Sequence, residues 1–356
     1  MMTFKEKDSI YKFELVKRLG NGSFGEVWLA KDTTIDKEVA LKILPSDFGS
    51  VVQKLEEAKN GKKVSHRNLL EIFYADVVQI TPDFCIALIA QEYQENGTVE
   101  SLLNAHNFLP LHQLLKILSD VLLGLEYLHN GGVIHNDIKP SNILLDKNGN
   151  GVLSDYGISS FSVGLAPVSP KGVYKIHGAP ETISGAHQIS ILSDIYQLGC
   201  TAYRLANGIS EIKSDWQKDP TCFNGAKLSG KIPSKKYQPY VPKKLVAVIN
   251  KAIEVDPNKR YSSAIEMKHA LEKLHFPGYW TTNPENTSEL IGYGNKYSYT
   301  YEIIPKAGNK FDFNAYQTNK DGKKTRKSEF CKKNLSLKDK DKLLKDFFEF
   351  VINNAK

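Results

Sequence analysis

The stretch VIHNDIKPSNILL, residues 133–145, decides the fold, because it places a carboxylate, a cation and an amide in close succession. These groups are Asp137, Lys139 and Asn142, and a second carboxylate, Asp155, follows in SDYG. Phosphoryl transfer needs a carboxylate that accepts the proton of an attacking hydroxyl, a cation near the moving phosphoryl group, and oxygen ligands for magnesium. The pattern therefore predicts a catalytic base at Asp137 with Lys139 beside it. Asn142 and Asp155 are the predicted metal ligands.

A glycine-rich stretch precedes this loop. LGNGSFGEV, residues 19–27, has the spacing GxGxxG followed by valine. Dinucleotide-binding folds use the same spacing between a strand and a helix, so the motif alone is weak. Here apolar and polar residues alternate on both sides, which predicts a turn between two strands and favours a lid over nucleotide phosphates. Gly20, Gly22 and Gly25 have no Cβ, so their backbone N–H groups can approach anionic oxygens.

Lys42 lies in VALK, within the third of three antiparallel strands that the alternation predicts over residues 12–45. An arbitrary strand lysine usually lies on a solvated face. The preceding glycine-rich stretch and a helical pattern at 51–65 indicate instead that Lys42 forms an ion pair with a residue of that helix. We expect its partner to be Glu57, with Glu56 as the alternative.

Together these motifs resemble those of eukaryotic-type (Hanks-type) serine/threonine protein kinases over roughly residues 10–276. The resemblance implies an α+β, bilobal fold with a β-rich N-lobe at about 10–95 and an α-helical C-lobe at about 97–276. It implies ATP and Mg²⁺ as cofactors and proteins as substrates. By the same resemblance, Glu181 of APE and Arg260 of DPNKRYSS form a buried ion pair.

The resemblance also implies which residues surround the nucleotide. Gln91, Glu92 and Tyr93 would contact adenine, Leu144 would lie beneath the ring, and Glu100 would lie near the ribose. The other predicted ATP-binding residues belong to the glycine-rich stretch and the two strands after it: Leu19, Gly20, Gly22, Ser23, Phe24, Gly25, Val27, Ala40 and Lys42.

Asn136 departs from the family pattern, which usually has an arginine at this position. That arginine contacts a phosphate on the activation segment through charge-assisted bonds that asparagine cannot make. We therefore expect an active kinase whose activation segment need not be phosphorylated, although Ser159, Ser160, Ser162 and Ser169 are available as acceptors.

A second departure lies just before APE, in GVYKIHGAPE. Tyr174 and His177 occupy positions where the family usually has threonine and tyrosine, so the substrate preference is open. By the resemblance, Lys139 favours serine or threonine over tyrosine as the acceptor, because tyrosine kinases have their loop cation elsewhere.

Two other functions compete with this prediction. A pseudokinase scaffold would bind nucleotide without transferring phosphate, but such members commonly lose at least one of the four catalytic-site residues that this chain retains. A small-molecule kinase of the antibiotic or choline type shares the fold and part of the loop. The APE motif, Lys139, Asp194 and Arg260 favour a protein substrate.

The composition fits a globular protein with a packed core. Of the 356 residues, 41% are hydrophobic and 24% are charged. The four cysteines, Cys85, Cys200, Cys222 and Cys331, form no CxxC pair and suggest the reducing cytosol, so we expect a cytoplasmic protein. No stretch approaches 18 consecutive apolar residues, and the sequence does not indicate an oligomeric state.

Residues 277–356 form a basic tail, with 15 Lys and Arg against 10 Asp and Glu, a net +5 out of +7 for the chain. Strand patterns at 296–304, 309–318 and 324–333 and an amphipathic helix at 337–352 predict a small α+β accessory module. Its alternating aromatic residues could stack nucleic-acid bases, but aromatic residues in strands more often form a core. The residues concerned are Tyr297, Tyr299, Tyr301, Phe311, Phe313 and Tyr316.

Overall fold

The computed structural model describes most of the chain, in these ranges: residues 4–22, 25–46, 65–81, 84–103, 108–156, 160–161, 167, 169, 176–184, 188–208, 212, 216–217, 219–286 and 288–354. Elements are numbered below in chain order within these ranges. The predicted helix at 51–65 falls almost wholly outside them. So do several residues named above: Ser23, Phe24, Glu57, Ser159, Ser162 and Tyr174.

A six-stranded antiparallel sheet forms the described N-terminal part. Its strands are β1 (Ser9–Ile10), β2 (Phe13–Gly22), β3 (Gly25–Asp32), β4 (Lys37–Ser46), β5 (Ile72–Thr81) and β6 (Phe84–Gln91), in the order β1-β2-β3-β4-β6-β5. The three strands predicted over 12–45 and the strand predicted at 84–93 are confirmed. The sequence pattern does not predict β5, because its apolar residues do not alternate with polar ones.

The register of this sheet decides which way Lys42 points. Trp28 pairs with Leu41, and Val27 pairs with Lys42. Successive strand residues point to opposite faces, so the fully buried Leu41 packs in the sheet's own core while Lys42 points to the other face. β6 follows the same rule, since Leu88 joins that core and Ile89 joins the core of the helical part.

Helices form most of the following part. They are α1 (Val99–Leu102), α2 (Leu111–Asn130), α3 (Pro180–Ile183), α4 (Ile191–Asn207), α5 (Pro220–Leu228), α6 (Lys243–Ala252) and α7 (Ala264–Glu272). Short strands accompany them: β7 (Val133–Ile134), β8 (Ile143–Leu145), β9 (Gly151–Leu153) and β10 (Ser160–Phe161). The predicted helices at 111–132, 193–207, 243–254 and 262–274 are thus confirmed, as is the bilobal α+β architecture.

Helix α4 lies at the centre of the helical part. A capping box at Ser190 and Ser193 satisfies the first backbone N–H groups of the helix. Nearly every residue of α4 is buried, so even its polar side chains find their partners inside the protein. Among the described helices, none has both the length and the apolar character needed to cross a membrane.

The C-terminal part is an antiparallel sheet covered by one helix. It comprises β11 (Tyr279–Thr282), β12 (Leu290–Tyr293), β13 (Tyr297–Lys306), β14 (Lys310–Asn319), β15 (Lys324–Arg326), β16 (Lys332–Leu335) and α8 (Leu337–Asn354). The continuous strand predicted at 324–333 is wrong. β15 and β16 pair with different parts of β14, and a 3-10 turn at Ser328–Phe330 separates them. β11 and β12 were not predicted.

This sheet and α8 share a continuous hydrophobic core with the helical part. Trp280 is 1% exposed, and its ring centroid lies 4.2 Å from that of Phe348 on α8. Phe348 also approaches Tyr240, at 6.2 Å, and Tyr279 meets His112 of α2 at 4.6 Å. The predicted boundary at residue 276 stays a prediction, because the core continues across it.

The aromatic residues considered for base stacking face two ways. Odd-numbered positions of β13 and β14 share the face that meets α8, because Tyr299 pairs with Gln317 and Tyr301 with Ala315. Five of the six aromatic residues therefore lie on the helix side, and only Tyr316 lies on the opposite face.

Candidate active site

One oxygen of Asp137 is fixed by its neighbours and the other is not. Oδ2 accepts hydrogen bonds from Lys139 Nζ and from Asn142 Nδ2, both at 2.8 Å. The same Asn142 amide also donates to the backbone oxygen of Asp137 at 2.8 Å. Oδ1 is buried and has no hydrogen-bond partner among the described residues. A buried acceptor without a partner is costly, so this oxygen is suited to receive a donor from a bound molecule.

The backbone of the loop is held by Asp194 in the first turn of α4. Its Oδ1 accepts from the backbone N–H of Asn136 at 2.7 Å, and its Oδ2 accepts from the N–H of His135 at 2.8 Å. His129 Nε2 lies 2.9 Å from the same Oδ2. Asp194 is fully buried, so these bonds satisfy a carboxylate that would otherwise be costly to bury.

One turn further along α4, Gln197 holds the next part of the loop. Its Oε1 accepts from the backbone N–H of Ile138 at 2.8 Å, and its Nε2 donates to the backbone oxygen of Asn136 at 3.0 Å. The two bonds lie on either side of Asp137. Sequence analysis did not identify Gln197, because a polar residue in a helix is ordinarily assigned to the solvated face.

Asn136 has a left-handed backbone conformation, with φ of +62°. Asparagine adopts this conformation more readily than most residues. Its side chain is buried, and Oδ1 lies 3.4 Å from Gln197 Nε2. Asn136 therefore contributes to the packing beneath the loop.

Lys42 and Asp155 bring the two lobes together. Lys42 Nζ donates to Asp155 Oδ1 at 2.8 Å, which joins β4 to the segment after β9. Burial opposes ionisation of Asp155, but Lys42, and to a lesser extent His135 and Lys139, hold the pKa of this carboxyl below its usual value. The expected partner Glu57 lies outside the described residues, so that pair stays a prediction.

The two predicted metal ligands are brought close by strand pairing. β8 pairs with β9, and Ser154 donates to the backbone oxygen of Asn142 through its N–H at 2.8 Å and its Oγ at 3.1 Å. Asn142 uses its amide nitrogen on Asp137, which leaves the amide oxygen for another partner. An amide oxygen and a carboxylate are hard oxygen donors of the kind that Mg²⁺ prefers, so these residues fit that ion.

The glycine-rich stretch lies between strands, as predicted. Gly20 pairs with Val27, and Gly22 pairs with Gly25 across the turn from β2 to β3. A Cβ at Gly25 would lie 2.1 Å from the backbone oxygen of Ile43, so only glycine fits there.

The predicted adenine contacts lie where the two lobes join. Ala40 of β4 pairs with Gln91 at the end of β6, and Leu144 forms a bridge with Thr98. Burial, together with the nearby carboxylate of Glu71, raises the pKa of Glu92. Among the other predicted residues, Leu19 is exposed. Their roles toward the nucleotide stay predictions.

Glu100 has a partner that the sequence did not suggest. Its Oε1 accepts from Nη2 of the buried Arg204 at 2.9 Å, and Nη1 of Arg204 lies 3.2 Å from His177 Nε2. His177 Nδ1 lies 2.9 Å from the backbone oxygen of Ile138. Since a carbonyl only accepts and a guanidinium only donates, His177 is neutral with its proton on Nδ1. Burial, aided by Arg204, lowers its pKa well below the usual value.

The ion pair expected between Glu181 and Arg260 is confirmed. The two side chains form a bidentate contact, with both N–O distances at 2.8 Å. Arg260 also donates to the backbone oxygens of Leu192 and Glu254. Such a fork-shaped contact fixes both partners, so it anchors α3 to the segment after α6.

Comparison with known proteins gives a single family. A profile described as "Protein kinase domain" matches residues 13–276. Serine/threonine-protein kinase D of Synechocystis sp. is 31% identical, over 74% of this chain and 52% of its own. PrkC of Bacillus subtilis is 29% identical over 72% of this chain and 39% of its own, and PknB of Mycolicibacterium smegmatis is 26% identical over 74% and 43%. The chain thus spans about two fifths of the length of the last two relatives.

Proposed function

The chain belongs to the protein kinase family, and from this premise we propose that it transfers the γ-phosphoryl group of ATP to serine or threonine hydroxyls of protein substrates. The observation that carries the proposal is the asymmetry of Asp137, with Oδ2 held by two donors and the buried Oδ1 left for a hydroxyl. The relatives named as serine/threonine-protein kinases support this choice of acceptor.

In the proposed reaction the hydroxyl oxygen of the substrate bonds to the γ-phosphorus of ATP, and the bond from that phosphorus to the bridging oxygen of ADP breaks. Asp137 orients the hydroxyl and accepts its proton at Oδ1. Lys139 stabilises negative charge on the phosphoryl group as it moves, while Lys42 holds Asp155 in place. Asn142 and Asp155 would hold Mg²⁺, which supplies positive charge beside the phosphates.

The proposal is tested with labelled ATP and a general acceptor such as myelin basic protein. Asp137→Asn removes the acceptor for the proton but keeps the shape, so we expect transfer to slow by roughly 10²- to 10⁴-fold. Asp321→Asn, in an exposed turn of the C-terminal sheet, is the matched control and should transfer at the wild-type rate. Equal rates for Asp137→Asn and wild type would refute the proposed mechanism and favour a scaffold.

We further propose that activity does not need phosphate on the activation segment. Asn136 has no charge with which to bind a phosphate, and the backbone on both sides of Asp137 is already held by Asp194 and Gln197. Phosphatase-treated protein should therefore transfer phosphate at about the rate of untreated protein. A hundredfold loss on treatment would show that a phosphate is required.

For residues 277–356 we propose a packing and partner-recruiting role rather than nucleic-acid binding. Five of the six aromatic residues considered for stacking face α8, and three of them, Tyr299, Tyr301 and Phe313, lie within 6.5 Å of Phe347. Rings used in this way cannot stack on bases. Salt-sensitive binding of labelled RNA or DNA by the intact chain would contradict this role. The cytoplasmic location stays an expectation from cysteine usage.

A further inference from the structure

Lys227 on α5 is a lysine with no exposed surface. Its Nζ donates to the backbone oxygens of Ile176 and Gly178, at 2.9 and 2.7 Å. The ammonium group also lies 5.0 Å from the ring centroid of Phe223. A fully buried lysine is rare, and this one donates to two backbone carbonyl groups within residues 176–178.

This position is costly for a cation. Burial lowers the pKa of Lys227 to about 8, although Cys200 and Glu181 partly oppose the shift. An apolar side chain would fill the same space without that cost. The lysine therefore does something that an apolar side chain could not, and among the described residues it donates to two carbonyl groups of one segment.

The segment that Lys227 holds, residues 176–178, is bound on its other side to the stretch 133–145 that contains Asp137, here called the catalytic loop. His177 Nδ1 donates to the backbone oxygen of Ile138, the residue after Asp137, at 2.9 Å. Arg204 contacts the other nitrogen of the same ring. Segment 176–178 thus lies beside the place where a substrate hydroxyl would meet Asp137. The hydrogen bonds of Lys227 fix the position of this segment.

We propose that Lys227 is a positioning residue, whose buried ammonium fixes segment 176–178 against the catalytic loop so that a protein substrate is presented to Asp137. The inference rests on the proposed kinase function and adds to it a restraint that needs no phosphate. The sequence alone did not suggest it, because nothing in CFNGAKLSGK distinguishes Lys227 from a surface lysine.

The role of Lys227 makes substrate binding depend on pH. An ammonium donates charge-assisted hydrogen bonds that are about twice as strong as those of a neutral amine. If the segment is released while Lys227 stays buried, the lysine loses these bonds and its pKa falls further, so the released state binds fewer protons. The hold on the segment therefore weakens as pH rises through about 8. Cys200, with a pKa raised to about 11 by burial, and the neutral His177 do not change charge in this range. The titratable and charged groups around Lys227 are Tyr196, Cys200 and Arg204 on α4, Glu181 on α3, His177, and Arg260 after α6.

The test measures KM for a peptide substrate, KM for ATP and kcat at pH 7 and pH 9. For wild type we expect the KM for the peptide to rise about tenfold from pH 7 to pH 9, because the charge-assisted bonds of Lys227 weaken. Lys227→Met should have the high peptide KM at both pH values with little change in KM for ATP. Lys227→Arg, which stays charged, should keep the low KM at pH 9. Lys231→Met, an exposed lysine just after α5, is the matched control and should behave as wild type.

Hydrogen exchange of the peptide that contains residues 176–178 gives a readout that does not depend on activity. It should be faster in Lys227→Met and unchanged in Lys231→Met. Wild-type exchange and peptide KM in Lys227→Met would overturn the inference, as would a wild-type peptide KM that does not change with pH. A wild type that transfers no phosphate would refute the kinase proposal, while the exchange result would still decide whether Lys227 holds the segment.

Discussion

Gln197 and Asn136 meet beneath the catalytic loop, one from α4 and one from the loop itself. The glutamine side chain accepts from one backbone group and donates to another, on either side of Asp137. Both groups belong to buried residues and bond to this side chain. The asparagine in turn tolerates the left-handed backbone that brings its carbonyl to the glutamine. The two amides together keep the carboxylate of Asp137 in place.

Gln197→Met tests this arrangement, because methionine has a similar length but no hydrogen-bonding groups of comparable strength. We expect the free energy of unfolding to fall by about 2–6 kcal/mol, since two buried backbone groups lose this partner at about 1–3 kcal/mol each. We expect kcat to fall roughly 10- to 100-fold, as displaced catalytic groups lose alignment. Urea unfolding and steady-state kinetics measure the two effects.

Gln113→Met, a half-buried glutamine on α2, is the control for Gln197→Met and should change neither quantity appreciably. Loss of stability with an unchanged kcat would mean that Gln197 supports the fold but does not position Asp137.

The candidate site residues of the loop could be predicted from the sequence. The buried side chains that hold their backbone in place could not. Asp137, Lys139 and Asn142 follow a spacing that predicts a shared task, and the structure places Lys139 Nζ and Asn142 Nδ2 each 2.8 Å from Asp137 Oδ2. Gln197 and Lys227 carry no such spacing. Each binds backbone carbonyl or N–H groups, which every residue possesses, so the sequence does not reveal the contact.

At the level of elements, α4 organises the site through one stripe of polar residues. Asp194, Gln197, Thr201 and Arg204 recur at intervals of three or four, so they lie on one face of the helix. In a surface helix such a stripe would face water. Here it faces the catalytic loop and segment 176–178, and each member bonds to one of them. The 3.6-residue period therefore predicted the helix correctly, but not which face was buried.

Trp280 of β11 packs the C-terminal sheet against α8. Its ring packs against Phe347 and Phe348, and its Nε1 donates to the backbone oxygen of Phe348 at 3.3 Å. Trp280→Ala should lower the free energy of unfolding by about 3–5 kcal/mol, the usual cost of deleting a large buried aromatic side chain. Thermal or urea unfolding measures this change.

Leu337→Ala, at the exposed start of α8, is the matched control for Trp280→Ala. Leu337 is 55% exposed, so its truncation should change stability by no more than about 0.5 kcal/mol. Similar effects of the two variants would show that the C-terminal sheet is only loosely packed on α8.

At the level of the whole molecule, the described residues form two hydrophobic cores of unequal size. The smaller core contains Leu15, Trp28 and Leu41 and lies on one face of the N-terminal sheet. The larger core runs from the opposite face of that sheet through α2 and α4 to Trp280. Lys42 and Asp155 form an ion pair between the sheet and the helical part. The sequence predicted the two lobes, since the period of the apolar residues changes from strand-like to helix-like near residue 97. It did not predict that residues 277–356 would complete the hydrophobic core of the C-lobe.

Separate cores should open separately, since local stability depends on the apolar contacts of each region. Leu41→Ala should therefore speed hydrogen exchange in β2 and β3 while leaving α4 and β13 at wild-type rates. Trp280→Ala should instead speed exchange in β13, β14 and α8 while leaving β2 and β3 at wild-type rates. It should also speed exchange in α2, because β11 packs against α2 through the contact of Tyr279 with His112. Exchange followed by mass spectrometry on both variants measures the pattern. If either variant sped exchange equally in β2 and in β13, the N-terminal and C-terminal sheets would unfold as one cooperative unit. The prediction of two separately opening cores would then be wrong.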